Sequence, residues 1–278
     1  MKETILPIRQ TLFFYAEDKC EEADVDETPR LIFLRSCEIH GVKRLDDIYL
    51  KNGGFEDIYY KKMRENAKFI LIGCEKSFDT CFCVDMKTNK TDEYSAYIKV
   101  DGNDVYLDVK DEEIENILAN IEKEEKEVTP DYVKENEVKV NIPADLSLEV
   151  MKSTMWNEYH ERCIACGRCN FVCPTCTCFT MQDIMYKDNK KAGERRRVWA
   201  SCHVDGFTNM AGGHSFREDK GQRMRFKTLH KVYDYKKRFG YHMCVGCGRC
   251  DDVCPEYISF STIINKLEGA MNEVKSNE

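Results

Sequence analysis

Two stretches of this chain repeat one spacing of cysteines, and that spacing constrains the backbone more than any other feature. Cys163-Ile-Ala-Cys166-Gly-Arg-Cys169-Asn-Phe-Val-Cys173-Pro174 and Cys244-Val-Gly-Cys247-Gly-Arg-Cys250-Asp-Asp-Val-Cys254-Pro255 both read C-x-x-C-x-x-C-x-x-x-C-P. Three thiols at three-residue intervals converge only when the chain curls into one tight loop. Gly167 and Gly248, directly after the second cysteine of each run, permit a close backbone approach there. The fourth cysteine is set apart by a longer gap and turned by proline. In all, the 278 residues include 16 cysteines, which in a small secreted chain would read as disulfides. Here they fall in tight clusters, and Met1-Lys2-Glu3-Thr4 lacks the basic-then-apolar layout of a secretory signal. The chain reads as cytoplasmic, and thiols in a reducing compartment do not stay paired, so metal ligation is the expectation.

The spacing is that of bacterial ferredoxins, in which three cysteines of one run and the fourth of the other surround each [4Fe-4S] cluster. Cys163, Cys166, Cys169 and Cys254 are therefore assigned to the iron of one cluster. Cys244, Cys247, Cys250 and Cys173 are assigned to that of a second. Zinc is the alternative, but zinc frameworks usually offer paired C-x-x-C arms from separate segments. About 70 residues separate the two runs, and the insert is expected to be helical, which points to an α-helical ferredoxin domain. A cubane ligated by four cysteines has no open position for a substrate, so the expected role is passage of single electrons, with no catalytic residue.

A chain of this length is expected to form two folding units. Leu31-Ile32-Phe33-Leu34 and Phe69-Ile70-Leu71-Ile72 read as buried strands, with a helix over 38–50 between them. A hairpin is expected at Asp101-Gly102-Asn103-Asp104. An acidic helix over 111–127 then runs into a polar stretch ending at Pro143, where the domain boundary is placed. The fold class is α+β: an α/β domain over 1–143 and the α-helical ferredoxin domain over 144–278, mainly α, with helices over 146–159, 181–186, 226–239 and 258–274. In the first domain Cys37 and Cys74 each follow a strand, and Cys81-Phe82-Cys83 lies close by. These four are expected to hold a third [4Fe-4S] cluster, the alternative being buried free thiols. Cys176, Cys178 and Cys202 read as packing residues, and Cys20 as a bystander.

A net charge of -8 argues against a nucleic-acid partner, and 42% hydrophobic residues with 33% charged are ordinary for a packed globular chain. No apolar run is long enough for a membrane span. Arg195-Arg196-Arg197 and the basic residues between Arg217 and Arg238 reverse the charge locally, and two readings stand: a positive surface that stabilises anionic clusters and docks a partner, or a solvated helix face. His214 in a glycine-rich loop reads as a structural hydrogen-bonder. No dinucleotide fingerprint or P-loop occurs.

Six segments together carry a more specific resemblance. Cys74-Glu-x-Ser-Phe-x-x-Cys81-Phe-Cys83, Thr88-Asn-Lys-Thr-Asp92, Cys173-Pro-Thr-Cys-Thr-Cys178, Gly193-Glu-Arg-Arg-Arg197, Ala211-Gly-Gly-His214 and Cys244-Val-Gly-Cys-Gly-Arg-Cys250 resemble the iron-sulfur relay subunit of anaerobic sulfite reductase, itself related to sulfhydrogenase beta subunits. The resemblance spans nearly the whole chain. It implies an iron-sulfur electron-transfer subunit of a cytoplasmic complex, in which a flavin subunit oxidises NADH and a siroheme subunit reduces sulfite to sulfide. A cytoplasmic sulfhydrogenase, serving a nickel-iron hydrogenase, is the alternative. The family's ligands fall on the eight cysteines of the two runs and on Cys37, Cys74, Cys81 and Cys83. Family members typically begin upstream of the segment matching 5–15, so a missing N-terminal portion and altered packing of the first strand are expected.

Overall fold

The computed structural model describes residues 1–276. Its strands are β1 (Arg9–Ala16), β2 (Lys19–Glu22), β3 (Arg30–Leu34), β4 (Ala67–Ile72), β5 (Ala96–Asp101), β6 (Asp104–Val109), β7 (Phe179–Met185) and β8 (Ala192–Trp199). Its α-helices are α1 (Lys2–Ile5), α2 (Ser36–Asp46), α3 (Ile58–Glu65), α4 (Glu112–Leu118), α5 (Met155–Arg162), α6 (Arg168–Phe171), α7 (Lys220–Leu229), α8 (Tyr235–Phe239), α9 (Arg249–Asp252) and α10 (Phe260–Ser276). They form two compact units, each discontinuous in sequence. The first comprises Met1–Leu6, Val25–Glu137 and Val245–Cys247, and the second Pro7–Asp24, Val138–Cys244 and the chain from Gly248 on.

The first unit is an α/β layer. β3, β4 and β5 run parallel and β6 closes the sheet antiparallel, in the order β3-β4-β5-β6. Alternate residues of β3 and β4, Ile32, Leu34, Phe69 and Leu71, point to one face and join Ile39, Val42 and Leu45 of α2 and Tyr60 of α3 in a core. The Tyr60 hydroxyl enters that core because it donates to Asp46 Oδ1 at 2.6 Å, so its polar end has a partner. The expected hairpin is present, with Gly102 at φ +61° in its turn. The acidic helix stops at Leu118, short of the expected 127, because α4 buries no residue and the following charged stretch has no apolar stripe to hold it down.

The second unit departs more from expectation. Where a helix was expected over 181–186, residues 181–185 belong to a strand: β7 pairs antiparallel with β8 from Phe179↔Trp199 to Met185↔Gly193. On its other edge β8 pairs with β1, giving the sheet order β2-β1-β8-β7. Cross-strand pairing overrides local propensity here, and the part expected to be mainly α, 144–278, supplies two strands of a four-stranded sheet. The arginine triplet is thereby fixed on a central strand, so it is neither a solvated helix face nor a free positive patch. Arg195 donates to Asp183 of β7 at 2.6 and 2.7 Å, Arg196 pairs with Glu194, and buried Arg197 donates to Gln10 of β1 at 2.7 Å. The helix expected over 146–159 is broken into a 3-10 turn, Leu148–Lys152, and α5, because Ser153 and Thr154 turn outward to hydrogen-bond Glu273 of α10. The expected helix over 226–239 is continuous from α7 through a π turn, His230–Asp234, into α8.

The two cysteine runs fold alike. Gly167 (φ +75°) and Gly248 (φ +71°) are left-handed and start the short helices α6 and α9. One residue before the second cysteine of each run, Ala165 (φ +57°) and Gly246 (φ +64°) are left-handed as well. Alanine at 165 shows that the conformation alone does not demand glycine. What excludes a side chain at 246 is its neighbour: a Cβ there would lie 2.6 Å from the Phe82 carbonyl carbon and oxygen, in a place fixed by the Phe82 N–H donating to Gly246 O at 2.8 Å. Gly246→Ala is expected to lower stability by about 1–3 kcal/mol, and Ala165→Gly to change it by less than about 1 kcal/mol. Anaerobic urea unfolding of the two variants checks the asymmetry.

Candidate iron-sulfur centres

Cys163 caps α5, Cys166 and Cys169 bracket the left-handed Gly167, and Cys254 follows α9. These four line one cavity, together with Cys250 and with Met224, Ile258, Phe260 and Ile263. Burial pushes the Cys163 thiol up, and the neighbouring thiols of Cys169, Cys166 and Cys254 push it further. The structure thus brings together three cysteines of the first run and the third and fourth of the second. Two thiols already accept backbone N–H groups, Ala165 to Cys163 Sγ at 3.4 Å and Ile258 to Cys254 Sγ at 3.3 Å. Such donors favour the ionised sulfur that iron needs.

His203, 1% exposed, lines the same cavity with Nδ1 4.0 Å from Cys163 Sγ, and its Nε2 has no hydrogen-bond partner among the described residues. Burial, then the charges of Lys227 and Arg223, lower its pKa to about 3, so the ring is neutral. Four thiols spread around an apolar cavity, with an unsatisfied imidazole nitrogen beside them, fit a sulfide-bearing multi-iron group. A buried polar atom left alone is otherwise costly.

For the other ferredoxin set, Cys173 and Cys244 act on the same buried ammonium, that of Lys231, which Cys176 also faces. Cys250 acts on a second, that of Lys227. Cys247 lies in the stretch Val245–Cys247, held in the first unit by the Thr88 hydroxyl donating to Val245 O at 2.6 Å and by Cys81 Sγ donating to Cys247 O at 3.7 Å. Cys176 is more than packing, since it hydrogen-bonds the Cys173 thiol. Cys202 does the same with Cys178 and accepts from Asn170 Nδ2 at 3.0 Å.

In the first unit, Leu34 of β3 faces Leu71 of β4 in parallel register, so Cys37 and Cys74 stand three residues beyond a matched pair on adjacent strands. Cys83, buried, has its thiol pushed up by burial and by Cys81 and Cys74, and Asn136 Nδ2 lies 3.7 Å from its sulfur. Arg35, two residues before Cys37, pulls the Cys74 thiol back down against burial. Cys74, Cys81 and Cys83 are thus neighbours at the strand ends to which α2 delivers Cys37. Cys20, on β2, is exposed and takes part in none of these groups.

Sequence reasoning passed over Asn170, Thr175 and His203 behind the thiols, and weighed Lys227 and Lys231 only as part of a basic stretch, cluster-stabilising surface or solvated helix face, without seeing their burial; all five are at most 5% exposed. For the lysines a signal existed. Met224, Thr228, Val232 and Tyr235 form the buried stripe of the helix through α7 and α8, and Lys227 and Lys231 lie on it, where aliphatic residues are expected.

Comparison with known proteins agrees with this geometry. The description of 4Fe-4S dicluster domains matches residues 162–258. The beta subunit of sulfhydrogenase 2 from Pyrococcus furiosus is 30% identical over 286 aligned positions, covering 96% of this chain and 82% of that protein. No solved structure matches. With the similarity running through both units and not only through the cysteine runs, the chain belongs to the family of sulfhydrogenase beta subunits, iron-sulfur electron-transfer proteins with a 4Fe-4S dicluster domain.

Proposed function

We propose that this chain is the relay component of an oxidoreductase complex, holding two [4Fe-4S] clusters on the eight cysteines of the two runs and a third on Cys37, Cys74, Cys81 and Cys83. The observation that carries the reading is the grouping of Cys163, Cys166 and Cys169 with Cys254, because a crossed ligand set puts two centres side by side. The clusters supply one-electron transfer, so a protein carrying several can join a partner that delivers electron pairs to one that accepts them singly. The chain's own residues aim N–H donors at two of the thiols, keep water out with Met224, Phe260 and Ile263, and present no open ligand position to a substrate.

Two readings of the complex stand, each with its own support. The segments 74–83, 88–92, 193–197 and 211–214 resemble the relay subunit of anaerobic sulfite reductase, which implies a flavin subunit oxidising NADH and a siroheme subunit reducing sulfite. The Pyrococcus furiosus relative is named for a sulfhydrogenase, which favours a hydrogenase partner. The cytoplasm suits either.

Anaerobically purified chain is expected to contain about twelve iron and twelve acid-labile sulfide with three clusters, and about eight with two. Cys254→Ser and Cys74→Ser are each expected to remove about four of each. Full retention in Cys74→Ser, with loss in Cys254→Ser, would leave two clusters and free thiols in the first unit; stoichiometric zinc would overturn the relay altogether. Purification of the intact complex separates the two settings: a siroheme absorption band identifies the sulfite-reducing one, and nickel the hydrogenase.

A further inference from the structure

Lysine is among the residues least often buried, and an ammonium removed from water costs several kcal/mol unless an anion accompanies it. Lys227 and Lys231 are 5% and 3% exposed. They are one helical turn apart on the strip that runs from α7 into the π turn His230–Asp234, and π turns inside helices are frequent at functional sites. Lys227 lines one cavity with Cys169 and Cys250. Lys231 lies beside Cys244, whose N–H donates to Lys231 O at 3.3 Å. Lys231 Nζ also donates to Thr175 Oγ1 at 2.7 Å, and that hydroxyl lies 3.4 Å from Cys173 Sγ. Lys227 has its ammonium 5.0 Å from the centre of the Phe260 ring and lines the cavity of Cys163, Cys166, Cys169 and Cys254.

Protonated thiols would leave both ammonium groups buried without an anion. Thiolates held ionised by iron would not. The lysines therefore make physical sense only in a protein that carries negative centres at these cysteines.

We propose that Lys227 and Lys231 are built-in counter-charges of unequal reach: Lys231 serves the centre of Cys173 and Cys244 alone, whereas Lys227, between Cys169 and Cys250, is shared by both ferredoxin centres. The inference rests on the cluster assignment made above. A centre that takes up one electron becomes more negative by one charge, and a fixed cation nearby lowers the cost of that step, which raises its reduction potential. A shared cation lowers it on both sides of the transfer, so an electron moving between the centres leaves no buried charge uncompensated.

The test is a potentiometric titration, followed by electron paramagnetic resonance, of the full chain purified anaerobically, with Cys166→Ser marking the signal of the first centre. Lys231→Met is expected to shift the midpoint of the second centre downward and leave the first in place. Lys227→Met is expected to shift both downward. Lys231→Arg and Lys227→Arg, which keep the charge, are expected to stay close to the parent. Unmoved midpoints in methionine variants with full iron and sulfide would overturn the proposal, as would Lys231→Met moving both centres equally. Where a methionine variant loses iron, recovery with arginine but not glutamine supports the counter-charge, and recovery with glutamine overturns it. Absence of iron from the parent chain would instead defeat the cluster assignment.

Discussion

Sulfur anions gathered in an apolar interior repel one another and lose their hydration, and nearly every unusual feature of the second unit answers that constraint. Left to themselves the thiols stay protonated, as the raised values of Cys163, Cys176 and Cys202 indicate. Backbone N–H groups of Ala165 and Ile258 point at sulfur, Asn170 donates to Cys202, and the only buried lysines of the helix through α7 and α8 among the described residues face cysteines. The left-handed turns at Ala165 and Gly167 serve the same end, since they turn the chain sharply enough to bring Cys163, Cys166 and Cys169 onto one cavity.

What could be read from the sequence followed from how local the signal was. The cysteine runs dictate their own loops, and the turns at Gly167 and Gly248 were legible from them. The parallel strands β3 and β4, the helix between them and the hairpin at Gly102 were also legible, because each has a periodicity or turn chemistry of its own. The sheet of the second unit was not. β1 and β8 are about 180 residues apart in sequence and nothing in either segment names its partner, while Met181 to Met185 reads equally well as one face of a short helix. The arginine triplet misled for the same reason: its donors are taken up by Asp183, Glu194 and the neutral amide of Gln10, two of which come from other strands. Charge from Lys227 and Lys231 acting on the clusters was one of two readings of the basic stretch, but their burial was missed because lysine on a helix is read as solvent-facing unless the apolar stripe is traced residue by residue.

The role of the third group of thiols is tied to backbone more than to side chains. Thr88 is fully buried, donates through its hydroxyl to Cys83 O and Val245 O, and accepts at its carbonyl from Ser36. One residue therefore ties the loop of Cys83, the start of α2 beside Cys37 and the backbone ahead of Cys247. With Phe82 donating to Gly246, the loop that carries Cys81 and Cys83 is held by several backbone hydrogen bonds, well before any metal contributes.

The interlaced sequence of the two units has a consequence for heredity. A self-contained module can be cut from one gene and joined to another at a single boundary. Here the 162–258 segment could not travel that way: its sheet needs the strands of Pro7–Asp24, and the carbonyls of Val245 and Gly246 would be stripped of Thr88 and Phe82. A chain woven like this offers no single boundary at which that segment could be cut, and its relatedness to the Pyrococcus furiosus protein runs over 96% of its length.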